Sequence, residues 1–305
     1  MAKTREQNAG IFNTYDLKKT GGKLIYGIMV AILILAGIVA LFPSIWIFMM
    51  GLKDTQEIYA NTSFFSENLT WTVFVERLAE AIQLVEFWKM SFNTLLVSLG
   101  SVAMTLFVSG MGGYVISRLK PRGTKLIFIL IVWTMMMPGQ IRTVPLFISY
   151  LSFPFVAEIP GEVSLINTYW PMWLGAAASC FNIILFKNQF DSISISLVEA
   201  AKIDGCGNGR IFFNIMLPLS VPTILYISIV TMQGAWSEFF NGYLVLTERS
   251  IQTLPVRVFV TSTAQGVKQN TYMLCLILSS LPMLILFMLF HRQMIGGANV
   301  GGVKG

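Results

Sequence analysis

The chain has 305 residues, of which 55% are hydrophobic and only 12% charged, whereas an ordinary soluble domain is roughly 25% charged. The mean hydropathy of +0.69 points the same way. These values exclude a disordered, collagen-like or small disulfide-stapled protein, and they argue against a soluble enzyme because one core cannot bury so much apolar surface. The composition predicts an integral membrane protein.

The formal net charge is +6, but the basic residues lie in the gaps between apolar runs and form no stripe of the kind that binds nucleic acid. Cys180, Cys206 and Cys275 are far apart in the sequence, and His291 is the only histidine. A zinc or iron–sulfur centre would therefore lack ligands. We expect neither a metal site nor a nucleic-acid partner.

Six apolar stretches are long enough to cross a bilayer core of ~30 Å, which takes ~20 residues of helix. Only helices satisfy every backbone group of an open chain in lipid, so an all-α membrane protein with six transmembrane helices is predicted. The stretches cover residues 24–50, 92–116, 126–151, 163–186, 217–246 and 271–290.

The distribution of Lys and Arg predicts the orientation of these spans. With the N-terminus inside, fourteen basic residues fall in cytoplasmic segments and at most seven outside. This predicts cytoplasmic tails at 1–23 and 293–305 around a membrane domain at 24–292. The basic turn at 118–123, with Pro121 and Gly123, is interpreted as a topological signal only.

Two further patterns concern packing. The external segment 51–91 contains an amphipathic helix, in which Trp71, Phe74 and Leu78 share the apolar side and Arg77 takes the polar side. In the second span, small residues four positions apart allow another helix to approach closely. They are Ser101, Thr105, Ser109 and Gly113.

The segment 196–217 is the longest cytoplasmic loop. Good helix formers run from Leu197 to Ile203, glycines then break the helix, and a second amphipathic piece follows before Pro218. Small alanines permit close approach of a partner surface, and carboxylates can bind its Arg or Lys side chains. These features favour a docking loop, with a solvated interhelical loop as the alternative.

The run EAAKIDG at 199–205, followed by IFF at 211–213 and by Pro218 and Pro222, resembles the EAA loop of ABC-importer permeases, in particular the maltose-type carbohydrate branch. Weaker pieces agree in order. They are FNTL at 92–95, MPGQ at 137–140, LINTY at 165–169, WSEF at 236–239 and GGVKG at 301–305. Two departures are Cys206, where alanine is usual, and an external loop at 151–164 that is longer than common.

The resemblance implies a bacterial inner-membrane permease subunit that pairs with a homologous sister permease and catalyses no reaction itself. It implies a cytoplasmic ABC ATPase dimer that binds ATP and Mg²⁺, and an extracytoplasmic sugar-binding protein that delivers the substrate. The chain lacks the G-x-x-x-x-G-K-[ST] phosphate loop and is expected to bind no cofactor itself. The implied ATPase-coupling residues are Glu199, Ala200, Ala201, Asp204 and Gly205.

Polar residues within apolar stretches usually face a cavity or a partner. Sugar recognition combines hydroxyl-bonding side chains with aromatic rings, so the fifth stretch supplies candidates for the translocation path: Gln233, Trp236, Ser237, Glu238 and Asn241. The alternatives are an interface with the sister permease or the headgroup layer. A second candidate set follows the kink at Pro138 and Gly139, namely Gln140, Arg142 and Thr143.

Two other classes of function remain open from the sequence. An ion-coupled carrier or channel would transport without an ATPase and would be expected to contain inverted repeats with interrupted helices. A membrane enzyme or sensor scaffold is the third possibility. Transport by the isolated chain in liposomes without ATP would favour the carrier, and turnover by the purified chain would favour the enzyme.

Overall fold

The computed structural model describes residues 20–60, 63–153 and 163–298, with side chains up to residue 290. Most of the described residues are helical, and the β contact among them is an isolated bridge between Phe153 and Val163. The helices are α1 Thr20–Gly51, α2 Thr55–Ala60, α3 Trp71–Leu84, α4 Phe87–Tyr114, α5 Thr124–Met135, α6 Gly139–Leu151, α7 Trp170–Ala177, α8 Cys180–Ser192, α9 Ile195–Ile203, α10 Asn208–Ile211, α11 Val221–Ser237, α12 Phe240–Val245, α13 Leu254–Thr263 and α14 Gln269–Ala298. The predicted tails lie mostly outside the described residues, as does most of the long external loop.

Within the part of the chain that the structure describes, four helices are long and apolar enough to cross a membrane: Thr20–Gly51, Phe87–Leu119, Asn208–Ser237 and Gln269–Phe290. A fifth span results if α5 and α6, which meet at an angle of 106°, count as one broken crossing. The predicted fourth stretch contains two short helices, α7 and α8, that are separated at Ala178 and Ser179. The all-helical membrane fold agrees with the prediction, whereas the count of six spans is not confirmed.

The small-residue stripe on α4 packs against α7 and α8, as the spacing predicts. The Thr105 hydroxyl donates to the Ala176 carbonyl at 2.8 Å, and the Ser109 hydroxyl donates to the Ala177 carbonyl at 2.8 Å. A Cβ on Gly113 would lie only 2.6 Å from Cβ of Phe186. The stripe therefore brings the backbone of α4 against the broken helix pair.

The amphipathic helix predicted after the first span is α3, and most of its apolar side packs into a cluster with α4, α13 and α14. The prediction for Arg77 is wrong: this residue is 8% exposed rather than solvated. Its Nη2 donates to Oδ1 of Asp54 at 2.5 Å, and its Nη1 donates to the carbonyl of Leu52. The prediction for Trp71 is also wrong, because this side chain is 76% exposed.

Candidate functional site

Helix α9 occupies the middle of the predicted docking loop. Ser194 caps its start by accepting a hydrogen bond from the Ser196 amide, which satisfies one of the free donors at a helix N-terminus. Val198 and Ala201 are buried against the body of the protein. Glu199 and Ala200 lie on the exposed side, so the helix is held by one face while the other remains exposed.

The end of α9 is a Schellman turn, in which a left-handed residue closes the last helical carbonyls. The Gly205 amide donates to the Lys202 carbonyl at 3.1 Å, and the Cys206 amide donates to the Ala201 carbonyl at 2.9 Å. Gly205 has φ +79°, a conformation that glycine adopts without steric cost. The sequence predicts a break at this glycine, and the structure supplies its geometry.

The chain returns to the membrane through α10, a π-helical segment at Phe212–Met216 and a 3-10 turn at Pro218–Ser220. These segments run into α11, so an apolar helical run extends from Asn208 to Ser237. The second amphipathic piece of the loop is therefore continuous with the span after it. Its buried residues, including Ile211 and Met216, join the cluster that also holds Val198 and Ala201.

An aromatic group lies beneath the loop. The ring of Tyr114, at the end of α4, is 6.2 Å from that of Phe190 and 5.3 Å from that of Phe212. Phe190 precedes α9 in the chain and Phe212 follows it, so both ends of the loop pack on the same residue. This contact fixes the position of the loop relative to α4.

A carboxylate reinforces the same region. Asp191 accepts from the Lys187 ammonium at 2.6 Å and from the Ser117 hydroxyl at 2.5 Å. Partial burial acts to raise the pKa of Asp191, but these two hydrogen bonds and the charge of Lys187 outweigh it and lower the pKa below its ordinary value. Asp191 therefore remains ionised near neutral pH and joins α8 to the segment after α4.

A cavity of about 640 Å³ lies among α4, α6, α7, α8, α11 and α12. The residues that border it combine aromatic rings with hydrogen-bonding groups, and its charged groups within the described part of the chain are Arg142 and Glu238. Ser101 and Thr105, from the stripe on α4, reach its wall. Aromatic and polar groups of this kind are typical of a site for a polar organic ligand.

Helix interruptions build this cavity. The chain bends at Met136–Pro138 between α5 and α6, breaks at Ala178–Ser179, and breaks again at Glu238–Phe239. Non-helical backbone at membrane depth is tolerated where it lines a cavity or is buried in protein. At the last break, the Glu238 carboxylate accepts a hydrogen bond from the backbone amide of Asn241 at 3.0 Å, which satisfies a donor at the start of α12.

The structure separates the predicted path residues of the fifth stretch. Glu238 and Asn241 border the cavity. Trp236 is 7% exposed, and its indole donates to the Ser279 carbonyl on α14 at 3.4 Å. Gln233 and Ser237 are exposed and do not border the cavity. The break after Ser237 interrupts the helix face on which the prediction places all of them.

The second predicted set lies in the same cavity, because Gln140, Arg142 and Thr143 border it from α6. Glu238 and Asn241, about a hundred residues further along the chain, thus face the same cavity as this set. Sequence reasoning did not identify the aromatic residues that accompany them, namely Phe147, Tyr150, Phe181 and Phe240. Aromatic residues are frequent throughout this chain, so their type alone gave no signal.

Interrupted apolar helices around a polar cavity are typical of membrane transport components. The sequence profile of the family described as binding-protein-dependent transport system inner membrane component matches residues 108–295. The chain belongs to this family. It is therefore a permease component of an inner-membrane transport system and not itself the ATPase.

Relatives match nearly the whole chain. A probable ABC transporter permease protein YurM of Bacillus subtilis is 28% identical over 87% of this chain and 84% of its own length. The arabinooligosaccharides transport system permease protein AraQ of Halalkalibacterium halodurans is 28% identical over 88% and 92%. The lactose transport system permease protein LacG of Rhizobium radiobacter is 26% identical over 90% and 94%.

The fold has a solved counterpart. A chain of a bacterial ABC transporter involved in the import of the acidic polysaccharide alginate aligns with a TM-score of 0.69, 21% identity, and coverage of 93% of this chain and 99% of that chain. This likeness supports the arrangement of the helices.

Proposed function

We propose that this chain is one of two permease subunits of an ATP-driven carbohydrate importer, with an oligosaccharide as substrate. It forms half of the translocation path and couples to a separate ATPase through α9. Both termini lie in the cytoplasm, in agreement with the excess of Lys and Arg in the segments on that side. The chain itself binds no cofactor, while the partner ATPase binds ATP and Mg²⁺.

The single observation that carries this proposal is the two-sided character of α9. Val198 and Ala201 hold the helix on the permease body, while Glu199 and Ala200 are exposed. The small side chain of the exposed Ala200 allows a cleft to close around the helix, and Glu199 offers a charge-assisted hydrogen bond to a basic residue. Asp204 and Gly205 complete the turn that ends the docking surface.

The substrate class is supported by the relatives and by the chemistry of the cavity. Relatives that share nearly the full length carry the names of arabinooligosaccharide and lactose transport proteins. Sugars present hydroxyls around apolar ring faces, and the cavity offers amide and hydroxyl groups beside aromatic rings. Asn241 and Gln140 are suited to the hydroxyls, and Phe240 to a ring face.

Copurification tests the proposal most directly. The chain is tagged in its native host, extracted in mild detergent, and its partners are identified. We expect a second permease and an ABC ATPase. In proteoliposomes with the extracytoplasmic binding protein, ATP hydrolysis should rise with a saccharide and remain basal with an amino acid. Transport by this chain alone in liposomes, without ATP, would refute the proposal in favour of an ion-coupled carrier.

A further inference from the structure

Arg118 has a structural contact that a topological signal does not require. It follows α4 in a π-helical segment at Val115–Leu119 and is half-buried. Its Nη2 donates to the carbonyls of Phe190 and Ile193. Ile193 is the residue between α8 and Ser194, the cap of α9. The guanidinium thus binds the backbone where the docking loop begins.

Physical chemistry favours a cation at this position. The last carbonyls of a helix lack the amide of a following helical turn, and their dipoles attract positive charge. At the end of α8, the Phe190 carbonyl accepts from the cap amide of Ile193 at 3.2 Å and also from Arg118. The neighbouring Ser117 also contacts the last turn of α8, because its hydroxyl donates to Asp191 at 2.5 Å. Two successive residues of the π-helical segment therefore hold the end of α8, so the segment and the turn are expected to move together.

The far end of the loop rests on the same helix. Tyr114 immediately precedes the π-helical segment, and its ring lies 5.3 Å from that of Phe212, which opens the second π-helical segment. Such segments often occur at functional sites. Earlier in α4, Ser101 and Thr105 border the cavity. The loop and the cavity therefore both contact the same helix, α4.

We propose that Arg118 is a positioning residue that couples movement of α9 to α4, and thereby ATP hydrolysis to transport. This inference rests on the proposed function, in which α9 docks on the ATPase. The contacts of Arg118 are with the end of α8 and the start of the loop, and this residue does not border the cavity. Its loss should leave docking and hydrolysis in place while reducing the transport that each hydrolysed ATP produces.

The experiment compares the complete importer, reconstituted in proteoliposomes, with Arg118→Gln, Arg118→Lys and Arg122→Gln. Arg122 is exposed in the same basic turn, so its replacement removes the same charge without the carbonyl contact. The readout is saccharide transported per ATP hydrolysed, with the binding protein present. For Arg118→Gln we expect this ratio to fall about tenfold, as for loss of a charge-assisted hydrogen bond. Arg122→Gln should match the wild type.

A wild-type ratio in Arg118→Gln, or an equal fall in Arg122→Gln, would overturn the proposal. If Arg118→Gln is not recovered from membranes, Arg118→Lys decides the question. It keeps the charge but not the planar, longer guanidinium, and a wild-type ratio there would also overturn the proposal. Failure of the wild-type chain to copurify with an ATPase would instead refute the proposed function, and this inference with it.

Discussion

Gly205 allows a test in which only backbone conformation changes. Its φ of +79° is left-handed, and no atom lies within 4 Å of the position that a Cβ would take. Replacement by alanine therefore creates no clash, but it places an L residue in a conformation that costs roughly 1–2 kcal/mol. The whole effect of Gly205→Ala should arise from the turn that ends α9.

The magnitude follows from this cost. A difference of about 1–2 kcal/mol corresponds to a factor of roughly 5–30 in an equilibrium. The fraction of molecules with the native turn should fall by up to this factor relative to alternative turns, and ATPase affinity should fall with it. Asparagine tolerates the left-handed region better than alanine, so Gly205→Asn should have a smaller effect.

Gly207 provides the matched control in the same loop. Its φ of −70° is ordinary, and a Cβ there would also meet nothing within 4 Å, so Gly207→Ala should bind within about twofold of the wild type. The assay titrates the copurified ATPase against permease in detergent and quantifies the permease in membranes. Equal affinities for Gly205→Ala and Gly207→Ala, at equal membrane levels, would refute the reasoning.

Three further predictions concern the same region. Gly113→Ala should lower the melting temperature, because its Cβ would lie 2.6 Å from Cβ of Phe186 and overpacking costs about 1–3 kcal/mol; Gly110→Ala, with its nearest atom at 3.5 Å, is the control, and equal melting would contradict this. Glu199→Ala should weaken ATPase binding about tenfold by loss of a charge-assisted hydrogen bond while membrane insertion persists; unchanged affinity on titration would argue against docking. Because the pKa of Asp191 is lowered, its contribution to stability is present above the ordinary value of 3.8 and lost as the pH falls through the folded value, so the melting advantage of wild type over Asp191→Asn should shrink only below pH 3.8.

The spacing of small residues predicted the stripe on α4, and a glycine after a run of helix formers predicted the break after α9. Residues four positions apart share a helix face, so the approach of another helix at Ser109 and Gly113 could be inferred without a partner in view. A glycine after a run of helix formers marks a helix end wherever tertiary contacts do not intervene. Both predictions depend on local geometry, which the sequence contains directly.

The interruptions within the spans could not be predicted in the same way. Apolar composition is the same in a continuous helix and in two short ones, so residues 163–186 gave no sign of the break at Ala178 and Ser179. The sequence also did not predict the direction of the Arg118 side chain. Lys and Arg at membrane edges suit the topological rule wherever they point, and only the fold brings this guanidinium to α8.

The two hydroxyls that α4 directs at the end of α7 also stand in for solvent. A peptide carbonyl that loses its helical neighbour at membrane depth finds nothing to bond among lipid tails, and Thr105 and Ser109 supply what water would supply elsewhere. A methyl group in place of either hydroxyl would leave the corresponding carbonyl oxygen without this hydrogen bond. The discontinuity after Ala177 is thus stabilised by hydroxyl groups of an adjoining helix.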